Sequence, residues 1–142
     1  MTTDNENIVL GFIAQFENGW PPDIDAAMAP LAEDASYQMV VPTFEPVRGR
    51  AAIVEAIENM TKKVDDQKHD MLNVATAGNV VFTERCDYSL RGGNWVPIPL
   101  VAVFEVNGEG KISAWREYLD VYNNMKQHGH SFEEMEKTIG GD

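Results

Sequence analysis

Apolar residues recur at helical spacing in the first part of the chain. Ile8, Val9, Phe12, Ile13 and Phe16 fall on one face of a helix predicted over residues 5–18, with Asp4 or Asn5 as its N-cap. Gly19 and the Pro21-Pro22 pair end it, and Asp23 is placed to cap a second short helix over 24–31. A strand is expected over 36–41, then a loop around Pro42 and Pro46. The strongest helical pattern covers 50–64, where Ile53, Val54, Ile57 and Met60 share a face behind Gly49. After Asp65 the period shortens to two. Segments 71–75, 80–90, 96–106 and 111–121 read as strands, divided by turn residues at Gly78-Asn79, Gly92-Gly93 and Asn107-Gly108. The tail from Tyr122 is polar, with a short helix expected over 132–139. Helices first and strands after predict an α+β fold. A curved sheet wrapped over the helices satisfies that order, and such a cone encloses a pocket.

Length and composition narrow this picture. The chain has 142 residues, the size of one ordinary domain, with a core expected over 5–121 and the polar tail over 122–142. There are 23 acidic and 11 basic residues, for a formal net charge of −12. That sign repels nucleic-acid phosphates and anionic membrane surfaces, so neither is expected as a partner. The single cysteine, Cys86, allows no intrachain disulfide and no all-cysteine zinc site. The acidic N-terminus is not a signal sequence, and no apolar run has the length of a membrane span. A cytoplasmic location is expected.

Alternation sorts the chemistry. On residues 80–90, Val81, Thr83, Arg85, Asp87 and Ser89 share one strand face, and Phe82, Glu84, Cys86, Tyr88 and Leu90 share the other. On the last strand Ser113, Trp115, Glu117 and Leu119 lie together, as do Tyr37, Met39 and Val41 on the first. If these faces point inward, Arg85 bridges two carboxyls, Asp87 and Glu117, with the Tyr37 phenol nearby. Burial raises a carboxyl pKa and a neighbouring arginine lowers it, so such a pair can hold one acid and one base at a single pH. Alternation alone leaves open the other assignment, a wet face carrying a solvent-exposed Arg85–Asp87 pair. His69 is assigned to the surface, Cys86 to the face away from the site, and Arg91-Gly92-Gly93 to a hairpin turn. His128 and His130 are assigned to a solvated tail, so no metal site is expected.

The strand Glu84-Arg85-Cys86-Asp87, the later run Gly110-Lys111-Ile112-Ser113-Ala114-Trp115-Arg116-Glu117-Tyr118-Leu119-Asp120, and Tyr37-Gln38 resemble the limonene-1,2-epoxide hydrolase family of the nuclear-transport-factor-2-like (SnoaL-like) superfamily. The resemblance covers about residues 5–121. It implies a cone-shaped fold with a deep apolar pocket, dimerisation through the sheet, no cofactor, and hydrolysis of a small apolar epoxide, terpenoid- or lipid-like, to a diol. It further implies that Asp87 acts as acid, Glu117 as base, Arg85 as bridge and Tyr37 as water partner. Met39, Leu100, Trp115 and Leu119 are expected around the substrate. Two positions depart from the family pattern: Glu117 stands where aspartate is usual, and Met39 where an asparagine helps hold the water. Met39 therefore keeps a second reading open, an epoxide-opening cyclase, an isomerase or a polyketide cyclase in which no water reacts. A noncatalytic carrier is the third. The outward residues Val101, Val103, Ala114 and Tyr118 form the expected homodimer face.

Overall fold

Leu31 starts the sheet, earlier than its apolar pattern suggests. In the computed structural model, which describes residues 4–140, β1 spans Leu31–Gln38 and the preceding helix is correspondingly short. Its first residues pair with the last strand, where the Ile112 amide donates to the Pro30 carbonyl. The exposed Glu33 and Asp34 sit in an irregularity between Leu31 and Ser36, which hides the strand from an alternation count. Before it come α1 (Asp4–Ala14), a 3-10 turn (Gln15–Glu17) and α2 (Ile24–Met28). Asp23 caps α2 as expected, its carboxylate accepting the Ala26 amide at 3.2 Å. Asp4 already belongs to α1, so the capping position falls outside the described residues.

The remaining order is β2 (Val47–Arg48), α3 (Arg50–Thr61), β3 (Asp66–Ala77), β4 (Val80–Arg91), β5 (Asn94–Val106), β6 (Ile112–Tyr118), α4 (Val121–Gln127) and α5 (Phe132–Gly140). The six strands form one mixed sheet in the order β2-β1-β6-β5-β4-β3, antiparallel throughout except for β1 beside β6. Gly92 and Gly93, both with positive φ, make the tight β4–β5 hairpin, a backbone that glycine adopts without a Cβ penalty. β3 is an edge strand, and the pairing of β3 with β4 shifts register around Leu72, leaving that side chain 60% exposed.

Helices and sheet meet over an aromatic cluster centred on Trp115. Its ring stacks on Tyr37 with centroids 3.9 Å apart, meets Phe12 edge-on at 5.0 Å, and lies 6.1 Å from Phe104. These rings come from β6, β1, α1 and β5, so one side chain joins four elements. Full burial of such a side chain contributes roughly 1.5–3 kcal/mol over leaving it exposed. Among the described residues no helix is long and apolar enough to cross a membrane.

Candidate active site

The odd-numbered residues of β4 decide which face of the sheet is dry. Val81, Thr83, Arg85, Asp87 and Ser89 are all buried, while Phe82 and Glu84 on the other face are exposed. β5 sets Leu100 beside Arg85 and Ile98 beside Asp87, and β6 brings Glu117 next to Ala102. The parallel pairing of β1 with β6 places Tyr37 opposite Trp115. Four side chains from three strands thereby converge on the inner face.

Their contacts form a continuous chain. Tyr37 Oη donates to Glu117 Oε1 at 2.9 Å. Arg85 Nη2 donates to Glu117 Oε2 at 3.0 Å and to Asp87 Oδ2 at 3.3 Å, and Nε donates to Asp87 Oδ1 at 2.8 Å. The remaining nitrogen, Nη1, donates to Thr83 Oγ1 at 2.8 Å. One guanidinium thus spans two buried carboxyls, the charge-assisted fork geometry that arginine alone supplies.

Burial pushes the Glu117 carboxyl up, with Asp87 adding to the rise, against the lowering pull of Arg85 and of the Tyr37 hydrogen bond. The Tyr37 phenol is raised well above its ordinary value, by burial first and then by the Glu117 charge. Burial works against the Arg85 charge, but Asp87 and Glu117 outweigh it and hold the guanidinium protonated. The group can store a proton and offer it at a dry surface, which is what acid–base chemistry needs.

The four residues border a cavity of about 520 Å³, within the range of small-molecule sites, and Met39, Leu100, Trp115 and Leu119 line it too. Met39 borders the cavity as expected, but from beyond the end of the strand. β1 ends at Gln38, and Val40 takes a left-handed backbone with φ 57°, unusual for a β-branched residue, which turns the chain off the strand. Met39 therefore sits at the cavity edge, 38% exposed, and Val41 no longer shares a face with Tyr37. Instead the Val41 amide donates to the Glu117 carbonyl at 2.9 Å, tying the turn to β6.

Two assignments to the surface are corrected. The His69 side chain is only 6% exposed, with Nε2 3.8 Å from Asp87 Oδ1 and Nδ1 3.0 Å from Glu17 Oε1. Its amide also donates to that Glu17 oxygen. β3 reaches back to Asp66 and pairs His69 with Asp87, which carries the histidine inward. His128 lines the cavity from α4 instead of projecting into solvent, whereas His130 is exposed and bonded to Glu134 at 3.1 Å. Asp120 caps α4 by accepting the Asn123 amide, and Gln127 Nε2 donates to the Pro97 carbonyl, so the tail closes over the site. Cys86 faces away, paired with Asp70 and Pro99.

Residues 3–130 match the limonene-1,2-epoxide hydrolase catalytic domain. The chain belongs to the limonene-1,2-epoxide hydrolase family. It is 32% identical over 104 residues to the epoxide hydrolase EphG of Mycobacterium tuberculosis, a match covering 73% of this chain and 67% of that protein. The solved structure of a limonene-epoxide-hydrolase-like enzyme from M. tuberculosis superimposes with a TM-score of 0.74 at 27% identity, covering 99% of this chain and 98% of that one. SalBIII, an epoxide hydrolase/cyclase-like enzyme in pyran ring formation in the polyether salinomycin, shares the fold with a TM-score of 0.73 at 21% identity, over 84% and 92% of the two chains. This family member is an epoxide-hydrolase-like enzyme with an α+β architecture.

Proposed function

We propose that this enzyme adds water to a small apolar epoxide, terpenoid- or lipid-like, and releases a diol, using side chains alone. The observation that carries the reading is Arg85 Nη2 within hydrogen-bond reach of both Asp87 and Glu117. Glu117 takes a proton from the attacking water, which the Tyr37 oxygen helps to hold. As the water oxygen bonds to one epoxide carbon, the carbon–oxygen bond of the ring breaks and Asp87 gives its proton to the departing oxygen. The proton gained by Glu117 returns to Asp87 before the next turnover, with Arg85 compensating charge on both sides. A base with a raised pKa is the stronger base once ionised, so the buried Glu117 suits the harder step.

Met39 favours a second reading, in which a hydroxyl of the substrate replaces water and a cyclic ether forms. Turnover of a racemic terpenoid or lipid epoxide that carries a pendant hydroxyl, in ¹⁸O-labelled water, separates the two. Hydrolysis puts one labelled oxygen in each diol, and ring closure puts none in the product. An Asp87→Asn variant with full activity would remove both readings, since each needs Asp87 as the acid.

Association through the outer face of the sheet accompanies this reading. Phe82, Val101 and Tyr118 are exposed there on three adjacent strands, around the buried Val103. Light scattering that returned a monomer at micromolar concentration would contradict a dimer on that face.

A further inference from the structure

The inward face of β4 does not end at the catalytic pair. Arg91 lies four residues beyond Asp87 on the same face, about 13 Å along the strand. It borders the same cavity, and so do Asn124 and His128, one turn apart on the side of α4 that meets it. Arg91 Nε, Asn124 Oδ1 and His128 Nε2 are each buried without a hydrogen-bond partner. Buried polar atoms in folded proteins are nearly always paired, and an unpaired one is costly. Three of them, from two elements, share one end of one cavity.

The charges there are unbalanced as well. Among the described residues, no carboxylate lies within ion-pair distance of Arg91, in a chain with 23 acidic residues. The adjacent Asp65 turns its Oδ2 to the Gly92 amide at 3.2 Å. Burial, the nearby Arg91 charge and His130 all lower the His128 pKa, so its ring stays neutral beside the guanidinium. Arg91 is thus a cation without a carboxylate partner, set beside neutral hydrogen-bonding groups, and Lys63 and Glu45 also border the cavity. Ile98 and Leu119 add apolar lining to the cavity, and Ser89 is the inward residue of β4 between Asp87 and Arg91.

We propose that Arg91, Asn124 and His128 form a subsite for the carboxylate end of an amphiphilic epoxide, whose apolar body spans the cavity toward Asp87. This rests on the reading of the other end as the place where the epoxide opens. A planar guanidinium takes a carboxylate through two parallel N–H donors. Neutral His128 and the Asn124 amide add polar contacts without a second charge.

Binding tests the subsite without any reaction. Saturated medium-chain carboxylates and the primary alcohols of the same chain length are titrated calorimetrically into the wild type, Arg91→Met and Arg91→Lys. The wild type is expected to bind the carboxylate roughly ten- to a hundredfold more tightly than the alcohol. Arg91→Met erases that difference while leaving alcohol affinity unchanged, and Arg91→Lys keeps part of it. Should Arg91→Met not fold, Arg91→Gln decides by the same comparison. Equal affinities in the wild type, or a carboxylate preference that survives loss of Arg91, overturn the subsite. Matched epoxides ending in a carboxylate or its methyl ester then separate the two ends of the cavity. Turnover of both without a binding preference removes the subsite and leaves hydrolysis. A binding preference without turnover of either supports the subsite and removes hydrolysis.

Discussion

Two arginines stand on the same face of the same strand, and their surroundings are opposite. Arg85 is almost completely buried and spends its donors on Asp87, Glu117 and Thr83. Arg91, six residues on, borders the same cavity with a buried Nε that bonds to nothing. The folded chain completes the first by itself and leaves the second incomplete. A charge that the protein has already matched belongs to machinery that must be in place before a substrate arrives. A charge it has left unmatched is where a ligand has something to add.

Substitutions can break this contrast, beginning with the largest effect. Asp87→Asn keeps the shape of the site and removes the acid, so turnover should fall by roughly 10²–10⁴-fold while the melting transition stays close to that of the wild type. Arg85→Met strands two carboxyls in a dry site and should cost about 3–5 kcal/mol, read from the urea midpoint. Arg91→Met strands none, and its midpoint should move by less than about 0.5 kcal/mol. Equal losses in the two variants would end the distinction. Tyr37→Phe takes one donor from Glu117 and should slow turnover by roughly tenfold or more.

The same residue sets a pH dependence. On the proposed mechanism Glu117 is the base and must be ionised, so kcat/KM is expected to fall as pH drops through its pKa, which burial places above the usual glutamate value of 4.5. The Tyr37 hydrogen bond pulls that pKa down, so Tyr37→Phe should shift the acid limb to higher pH. A limb that stays put, or moves lower, separates Glu117 from the rate. The smallest effect belongs to Met39→Asn at the cavity edge. It should raise diol formation by up to about tenfold if water is the nucleophile, and lower product formation if a substrate hydroxyl is.

Strand parity groups Arg85 with Asp87 in the middle of β4 and puts Tyr37 and Glu117 on definite faces of their strands, but parity does not say which face is dry; the family resemblance supplies that. Parity failed where a strand end was misjudged. The polar run Asp66 to Asp70 conceals the start of β3, and with it the inward turn of His69. Carrying the odd-numbered series of β4 one step past Ser89 reaches Arg91, a signal that the hairpin glycines obscure. The turn after Gln38 that takes Met39 and Val41 off the strand is not legible, because a valine at positive φ leaves no mark in the sequence. α4 has seven residues and no apolar period, so the Asp120 cap was its only local sign, and its seat over the cavity depends on contacts made far along the chain.

The register shift at Leu72 bears on how the molecule behaves in a crowd. β3 runs along a border of the sheet; Glu17 takes the His69 amide there, and backbone groups without such a partner can receive another strand. A twelve-residue strand is long enough to recruit one, and Leu72 projects from it into solvent. The bulge divides that border into residues 66–71 and 73–77, two short runs out of step with each other. A stray chain could zip along one run and would lose its register on reaching the other. The broken register is expected to disfavour strand addition beside the exposed Leu72, and deleting Leu72 to straighten the strand is expected to leave a more continuous template.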